Sequence, residues 1–332
     1  MPEKPYVPPY TITDAIIHLI AEISEQVGIV TVKNEGTINP HLRRENQIRT
    51  IHSSLAIENN SLSLEQMTDV INGKRILGAP NEIREVKNAY EAYSHLGSFE
   101  PYEIDDLLKA HQILMHDLTE ESGQFRHGGV GVFAGKKLVH MAPPANLVPK
   151  LIGDLMEWVQ CADAHPLIKS CIFHYEFEFI HPFSDGNGRM GRMWQTVLLG
   201  SWKPVFYWLP VETLIKERQN EYYQALAVAD KAADSTAFIE FMLGVIRDAL
   251  RELIQTEQVR DQVTVQVENL MKALGNETLS ATELLNRLGM KHRPSLYSNY
   301  LRPALELGLI AMTIPDKPNS SRQKYRAVEK KD

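Results

Sequence analysis

Hydrophobic residues recur at helical spacing along most of the chain. One run starts at Thr13-Asp14, carries an isoleucine or valine at every third or fourth position, and is predicted to stop at Gly28. Two further helical runs lie on either side of a polar cluster at residues 230–235. Comparable apolar patterns cover residues 40–58, 81–94, 102–118 and 149–159. The pattern predicts a mainly α-helical body.

A single region has the pattern of β-strands. Two short apolar stretches between residues 128 and 141 flank Ala134-Gly135-Lys136, and Pro143-Pro144 follows the second stretch. Short β-branched stretches around a glycine-containing turn are typical of a hairpin, and proline ends it. We therefore expect one β-hairpin, residues 130–139, attached to the helical body.

The C-terminal part of the chain has a different pattern of predicted elements. Leu279-Ser280-Ala281 predicts the cap of a helix that ends at Gly289, and a second helix is expected over residues 295–307. Apolar and basic stretches at 309–312 and 324–328 then flank a turn rich in proline, asparagine and serine. Two helices followed by a two-stranded wing resemble a winged helix, a fold that binds DNA in some proteins and docks onto proteins in others.

Composition places the chain among ordinary globular proteins. It has 332 residues, 43% hydrophobic and 23% charged, with a net charge of −7, which gives no overall reason to expect nucleic acid. From residue 268 onward, however, the chain contains 11 Lys/Arg and 7 Asp/Glu, which gives this part a net charge of +4. Neither cysteine has metal or redox spacing, there is no signal-peptide profile, and no apolar run approaches the ~18 residues of a membrane span. We expect a cytoplasmic protein without membrane contact.

The strongest chemical signal lies in residues 181–192, His-Pro-Phe-Ser-Asp-Gly-Asn-Gly-Arg-Met-Gly-Arg. Apolar helical stretches precede and follow it, so it should be a loop that enters a helix at its N-terminus, where N–H groups and the helix dipole favour phosphate. Gly186 and Gly188 let the backbone curl its N–H groups around an anion. Arg189 and Arg192 can donate to phosphate oxygens. We call residues 181–192 the signature loop.

Two other residues of the signature loop have chemistry of their own. Asp185 can hold Mg²⁺, which takes few protein carboxylates and otherwise binds water and phosphate, and His181 has a pKa suited to proton transfer near neutrality. Residues 186–191 also fit G-x-G-x-x-G, but that dinucleotide motif needs a strand before it, and here a helix precedes. A surface turn with incidental charges would not combine these residue types in this order.

The signature loop resembles that of the Fic family, H-P-F-x-[DE]-G-N-G-R-x-x-R, and matches it at every defined position. Further similarity lies at residues 140–144, where the hairpin ends, and at residues 220–226. The resemblance covers roughly residues 1–250. It implies an all-α core with a β-hairpin flap, and transfer of AMP from ATP to a Tyr, Ser or Thr hydroxyl of a target protein.

The resemblance also implies a role for each residue of the loop. His181 would be the general base that accepts the hydroxyl proton, and Asp185 would hold Mg²⁺ against the α- and β-phosphates of ATP. The remaining residues would bind phosphate. Gly186, Asn187 and Gly188 would form an anion nest, and Arg189 and Arg192 would contact the outer phosphates.

Contacts with the target and with adenine follow from the same resemblance. The hairpin would bind and align an extended segment of the target, which would add to it as a further strand. Tyr222 and Tyr223 are candidates to line the adenine pocket, although adjacent helix positions face different ways, so at most one would stack. Packing in the core is the alternative for this pair.

A second Fic pattern, [ST]-x-x-x-E-[GN], appears at Ser54-Leu55-Ala56-Ile57-Glu58-Asn59. Ser54 and Glu58 would share one face of a helix. In the family this glutamate pairs with the second arginine of the signature loop, here Arg192, which then cannot take the γ-phosphate productively. We expect the pair to be bidentate and shielded from water; the alternative is a glutamate that faces solvent.

The sequence thus predicts three parts: an N-terminal helical region with the inhibitory helix (1–95), a Fic core (96–255) and a winged-helix domain (256–332). The predicted function is Mg²⁺-dependent protein adenylylation restrained by Glu58. The rival hypothesis is a DNA-binding regulator whose Fic-like core senses nucleotide, but His181 argues against it because a sensor needs no base. The target protein, any removal of AMP, DNA or protein contact through the winged helix, and a homodimer all stay open.

Overall fold

Helices form where the hydrophobic pattern predicts them. The computed structural model describes residues 6–33, 40–134, 137–275, 277–318 and 320–328. The chain divides into two compact units, Met1–Glu252 and Leu253–Asp332. The helices that begin in the first unit are α1 (Asp14–Lys33), α2 (Pro40–Ile57), α3 (Leu64–Ile71), α4 (Pro80–Ser94), α5 (Ile104–Leu114), α6 (Val148–Cys161), α7 (Pro166–Ile180), α8 (Asn187–Trp202), α9 (Val211–Glu217), α10 (Gln219–Ala232) and α11 (Thr236–Leu274).

Helix α1 is longer than its sequence indicated. The stop expected at Gly28 is wrong, because the helix continues to Lys33. A glycine inside a helix costs about 1 kcal/mol relative to alanine. Val27 and Val30 are 3% and 1% exposed, and burying side chains on both sides of the glycine offsets that cost.

The same helix passes a test for membrane-spanning segments. Among the described residues, Asp14–Val32 is the one stretch long and apolar enough to cross a membrane, with a mean hydropathy of 1.5, although the sequence had suggested no such stretch. It contains charged residues and 28% of it is buried in the protein. A single helix of this kind is weak evidence for a membrane span, because core helices of soluble proteins have the same length and composition.

Helices α7 and α8 form the centre of the first unit. Both are buried along most of their length, which places them inside the core of the unit. The signature loop joins them, so its position is set by the best-packed part of the unit. Helix α2 packs against α4, α8 and α9, which brings the predicted inhibitory segment to the start of α8.

The predicted hairpin is present. Strand β1 (Gly131–Ala134) pairs antiparallel with β2 (Lys137–Met141), with Val132 opposite His140 and an irregularity in register between Val132 and Phe133. The turn residues 135–136 lie outside the described residues.

The second unit contains a small antiparallel sheet of order β3-β5-β4. Its elements follow the predicted order of helix, helix and two strands, but Leu279–Ser280 also forms a short strand by pairing with β5. Ser280 caps the following helix through a capping box with Glu283, as its sequence indicated. These elements are β3 (Leu279–Ser280), α12 (Ala281–Arg287), α13 (Arg293–Leu296), a π-helical turn (Tyr297–Leu301), α14 (Arg302–Glu306), β4 (Ile310–Met312) and β5 (Lys324–Ala327).

Candidate active site

The signature loop begins where α7 ends. His181 adopts a left-handed conformation, with φ 50° and ψ 62°, and its N–H donates to the carbonyl of Phe177. A left-handed residue ends a helix, and non-glycine residues adopt this conformation rarely. The chain therefore leaves α7 at the histidine. The loop leads into a helix N-terminus as predicted, but α8 already begins at Asn187, so residues 187–192 are helical.

The imidazole of His181 has a defined tautomer. Its Nδ1 lies 3.2 Å from the backbone carbonyl oxygen of Glu178, and a carbonyl oxygen only accepts hydrogen bonds. This contact assigns the proton to Nδ1 and leaves a lone pair on Nε2, the form that a general base needs. The Glu178 carboxylate, 4.0 Å from Nδ1, would stabilise the ring once it is protonated.

Arg126 holds the loop and both ends of the hairpin together, a role that the sequence did not reveal. Its side chain is 2% exposed. The guanidinium donates to the carbonyl of His181 at 2.7 Å, to that of Gly128 before the hairpin and to that of Pro143 after it. A lone arginine in a loop carries no sequence signal for this contact set.

His111, on α5, is a second residue that the sequence analysis missed. The N–H of Gly123 donates to its Nδ1 at 2.9 Å, so its Nε2–H donates to the carbonyl of Asp185 at 3.0 Å. Its ring stacks on Phe183 with 3.6 Å between centroids. Burial lowers the pKa of His111 to about 4, so the ring is neutral near pH 7 and can make both bonds.

Asn187 and Gly186 shape the turn into α8. The Asn187 side chain accepts from the N–H of Phe183 and donates to its carbonyl, both at 2.8 Å. Gly186 has φ 82°, and a Cβ there would lie 2.6 Å from the sulfur of Met115. The side chain of Asn187 is thus committed to the loop, and only its backbone N–H can serve the predicted anion nest.

The start of α8 suits an anion. The first N–H groups of a helix have no partner within the helix, and the N-cap residue Gly186 has no side chain to bond them. The helix dipole adds partial positive charge at this end. These N–H groups follow His181 within the signature loop.

Arg189 and Asp185 are linked to each other. Arg189 donates to Glu85 at 3.1 Å and to Asp185 Oδ1 at 3.3 Å, and the N–H of Gly186 also donates to Oδ1. The side chain of Arg189 is buried, whereas that of Asp185 is 62% exposed. Asp185 therefore has one anchored oxygen and an accessible carboxylate, which fits a Mg²⁺ ion bound mainly by phosphate and water. Arg189 contacts carboxylates here, and the pairing with Glu85 was not predicted.

Arg192 meets the predicted inhibitory residues. Its Nη2 lies 2.8 Å from Glu58 Oε1, and it also donates to the hydroxyl and the carbonyl of Ser54. The predicted pairing and the shared face of Ser54 and Glu58 are confirmed. The expected bidentate, shielded geometry is wrong, because one carboxylate oxygen makes the contact and the Glu58 side chain is 36% exposed. Nε donates to the Ser54 hydroxyl, and Nη2 also donates to the Ser54 carbonyl.

Gly188 makes room for this ion pair. A Cβ at Gly188 would lie 2.5 Å from Glu58 Oε1 and 3.1 Å from Arg192 Nη1. Only a residue without a side chain lets the carboxylate reach the arginine over the first turn of α8.

Asn59 follows the end of α2 in a left-handed conformation, with φ 68°. Its N–H donates to the carbonyl of Ala56, and the N–H of Asn60 donates to that of Leu55. These are the two bonds of a Schellman motif, whose left-handed position favours glycine or asparagine. The last position of the [ST]-x-x-x-E-[GN] pattern therefore has a conformational reason.

The two candidate adenine-pocket tyrosines face different ways. Tyr222 is 1% exposed, and its hydroxyl lies 3.0 Å from Nε2 of the buried His174. Tyr223 is 47% exposed. Tyr222 therefore belongs to the core, and Tyr223 alone keeps surface that a base could cover.

The fold and site define a helical protein in which a loop that begins with a histidine leads into a buried helix. A family model described as Fic/DOC family matches residues 101–199, and one described as Filamentation induced by cAMP protein Fic-like, C-terminal domain, matches residues 265–327. A Fic family protein from Desulfovibrio desulfuricans G20, whose crystal structure is known, is 55% identical in sequence to this chain. The match covers 98% of this chain and 100% of that chain, with a TM-score of 0.76. The chain belongs to the Fic family, and its all-α core with a hairpin is the fold that the sequence predicted.

More distant relatives share only part of the chain. Protein adenylyltransferase Fic from Aedes aegypti is 29% identical over 60% of this chain and 40% of its own length. Protein adenylyltransferase fic-1 from Caenorhabditis briggsae is 28% identical over 65% of this chain and 45% of its own length. The chain thus spans less than half of the length of each of these two relatives. A structure of Fic-1 from C. elegans, 22% identical with a TM-score of 0.59, covers 74% of this chain and 72% of that chain and shares the fold.

Proposed function

We propose that this protein transfers AMP from ATP to a Tyr, Ser or Thr hydroxyl of a target protein. The observation that carries the proposal is the 3.2 Å contact between His181 Nδ1 and the backbone carbonyl oxygen of Glu178 at the end of α7, which assigns the proton to Nδ1. A base with its lone pair on Nε2 lies next to a helix terminus that favours phosphate. The relatives named protein adenylyltransferase support the same reaction.

The proposed chemistry is an in-line displacement at the α-phosphorus. Nε2 of His181 accepts the hydroxyl proton while the hydroxyl oxygen forms a bond to phosphorus. The bond between the α-phosphorus and the bridging oxygen breaks, and pyrophosphate leaves. The N–H groups at the start of α8 stabilise the charge that develops on the phosphate oxygens. Mg²⁺ held by Asp185 would neutralise further charge on the phosphates.

The hairpin is the proposed binding site for the target. A sheet of two strands has an outer edge on each strand, and an extended peptide can add to such an edge through main-chain hydrogen bonds. Arg126 ties both ends of the hairpin to the carbonyl of His181. A target bound at the hairpin would therefore be held at a fixed distance from the base.

We also propose that Glu58 restrains the reaction. Its carboxylate is bonded to the Nη2 atom of Arg192, which the γ-phosphate would need in a productive complex. The pair joins the end of α2 to the buried helix α8, so ATP must displace a carboxylate from an arginine that is 2% exposed. Removal of AMP from a modified target would use the same His181 with water as the nucleophile.

Label transfer tests the proposal. α-Labelled ATP is added to a cell lysate with the wild-type protein, the Glu58→Gly variant or the His181→Ala variant, and the labelled band is identified by mass spectrometry. We expect strong labelling with Glu58→Gly, weak labelling with the wild type and none with His181→Ala. Label that does not depend on His181 would contradict the proposal. Incubating the labelled target with fresh wild-type protein then measures removal of AMP.

DNA binding is a second proposed role, and it would belong to the C-terminal unit. Residues 268–332 carry a net charge of +4 on a protein of net charge −7. Lys291, Arg293, Lys317 and Arg322 are exposed there. A gel shift with random DNA fragments at ~150 mM salt would show phosphate binding, which weakens steeply with salt. DNA binding without label transfer would favour the regulator hypothesis, and label transfer without DNA binding would favour a protein-docking role.

A further inference from the structure

The last turn of the inhibitory helix α2 has a partner for each of its carbonyls. A free helix end leaves four carbonyls without intrahelical donors. Here the carbonyl of Ser54 accepts from Arg192, and those of Leu55 and Ala56 accept from the Schellman bonds. Side chains of α9 and α10 reach the same turn, as the next contacts show.

Lys216 and Gln219 supply the remaining bonds. Lys216 Nζ donates to the carbonyl of Ala56 at 2.7 Å, and Gln219 Nε2 donates to the carbonyl of Ile57 at 3.1 Å. Lys216 also donates to Gln219 Oε1 at 2.9 Å, so the two side chains form one connected group. A cation at the C-terminal end of a helix is further stabilised by the helix dipole. We call these residues the Lys216–Gln219 pair.

These bonds lie directly before Glu58 in the chain. Ile57, whose carbonyl Gln219 binds, is the residue that precedes Glu58. The Glu58 side chain is 36% exposed and reaches Arg192 through a single oxygen. Because so little holds the side chain itself, its position depends on where the backbone of the last turn is held.

We propose that Lys216 and Gln219 are positioning residues for inhibition, and that they hold the end of α2 so that Glu58 reaches Arg192. The inference rests on the proposed function of Glu58. Among the residues that the structure describes, neither forms a hydrogen bond with Arg192 or the signature loop, so both act through the backbone of α2. Gln219 Nε2 also lies 3.3 Å from the hydroxyl of Tyr223, which connects the pair to the surface proposed for adenine.

Transferase assays on the full chain test the inference. Lys216→Met and Gln219→Leu are made in the wild type and in Glu58→Gly. In the wild type each should raise label transfer from α-labelled ATP at least about threefold, since losing a charge-assisted or buried hydrogen bond shifts a local equilibrium by that factor or more. In Glu58→Gly neither should raise it further, because the glutamate they position is gone.

Two variants serve as controls. Lys216→Arg keeps a cationic donor and should retain inhibition. Lys231→Met removes an exposed lysine on α10 and should leave transfer unchanged. A loss of general stability would lower transfer in both backgrounds, which is the opposite of the expected increase. Unchanged or lower transfer by Lys216→Met and Gln219→Leu, alongside a strongly active Glu58→Gly, would overturn the inference.

Amide hydrogen exchange separates this inference from the proposed function. Peptides that cover residues 55–60 should exchange at least about threefold faster in Lys216→Met than in the wild type. If no variant transfers label but exchange accelerates, the proposed function fails and the positioning of α2 stands. If Glu58→Gly transfers label but exchange and activity are unchanged in the Lys216 and Gln219 variants, the positioning role fails alone.

Discussion

Arg192 Nη2 lies 2.8 Å from Glu58 Oε1, although 134 positions separate the two residues in the chain. The arginine is 2% exposed, and a buried guanidinium needs a carboxylate or several acceptors to offset its lost hydration. The glutamate supplies that charge when no phosphate is present. The same arginine thus serves the stability of the unliganded protein and the proposed chemistry.

Glu58→Gly should raise label transfer by at least about tenfold, because a misplacement of about 1 Å can cost ~10²-fold in rate and removing the carboxylate frees Arg192 for the γ-phosphate. Arg192→Ala should be inactive, and the double variant should match Arg192→Ala, since the glutamate acts only through that arginine. Initial rates of auto-modification measure this. Equal rates for wild type and Glu58→Gly, where His181→Ala shows none, would contradict the inhibitory role.

His181→Ala should abolish transfer and leave nucleotide binding close to that of the wild type. A positioned general base contributes on the order of 10²–10⁴-fold in rate, whereas the α8 N–H groups and Arg192 that would bind phosphate are not altered. Transfer rates and calorimetric ATP binding give the two readouts. His174→Gln is not a suitable control because that ring is buried in the core, but His116→Ala changes a ring that is 67% exposed. Near-normal transfer by His181→Ala would move the base elsewhere.

Asp185→Ala should weaken the Mg²⁺ dependence of ATP binding and of transfer. The carboxylate is accessible, with one oxygen anchored by Gly186 and Arg189, and without it the ion would be held by phosphate and water alone. A Mg²⁺ titration at fixed ATP should show a higher midpoint. Asp117→Ala, which alters an exposed carboxylate outside the loop, provides the comparison, and an unchanged midpoint in Asp185→Ala would place the ion elsewhere.

His111 should make stability depend on pH between about 6.5 and 4. Burial lowers the pKa of His111 to about 4 in the folded protein, below the value of ~6.5 for an exposed histidine. The unfolded chain therefore binds the proton first as pH falls, and stability present above pH 6.5 is lost on acidification. At pH 5 this histidine alone should cost about 2 kcal/mol relative to pH 7.

Urea unfolding of wild type and His111→Gln at pH 7 and pH 5 measures that contribution. The variant should be less stable at pH 7, because it loses the stacking of the imidazole ring on Phe183. The gap between the two proteins should shrink at pH 5. Other buried groups, such as His174, titrate in both proteins and cancel in the difference. A gap that stays constant with pH would contradict a neutral His111.

Much of the fold followed from local pattern. Apolar spacing predicted the helices, the glycine turn predicted the hairpin, and Leu279-Ser280-Ala281 predicted the cap of α12, to which the structure adds Glu283. The stop predicted at Gly28 is wrong, because glycine is a local signal for a helix end, whereas the burial of Val30 is decided by the rest of the unit. Strand β3 was missed because two residues are too few to show alternation.

The signature loop and the [ST]-x-x-x-E-[GN] pattern were visible in the sequence by themselves, since the chemistry of both depends on particular side chains at fixed spacing. The tertiary structure decided how they are held. Arg126, His111, Lys216 and Gln219 all act by donating to backbone carbonyls. Every residue has a carbonyl, so such an acceptor leaves no mark in the sequence, and only the packing of distant segments determines which donor meets it.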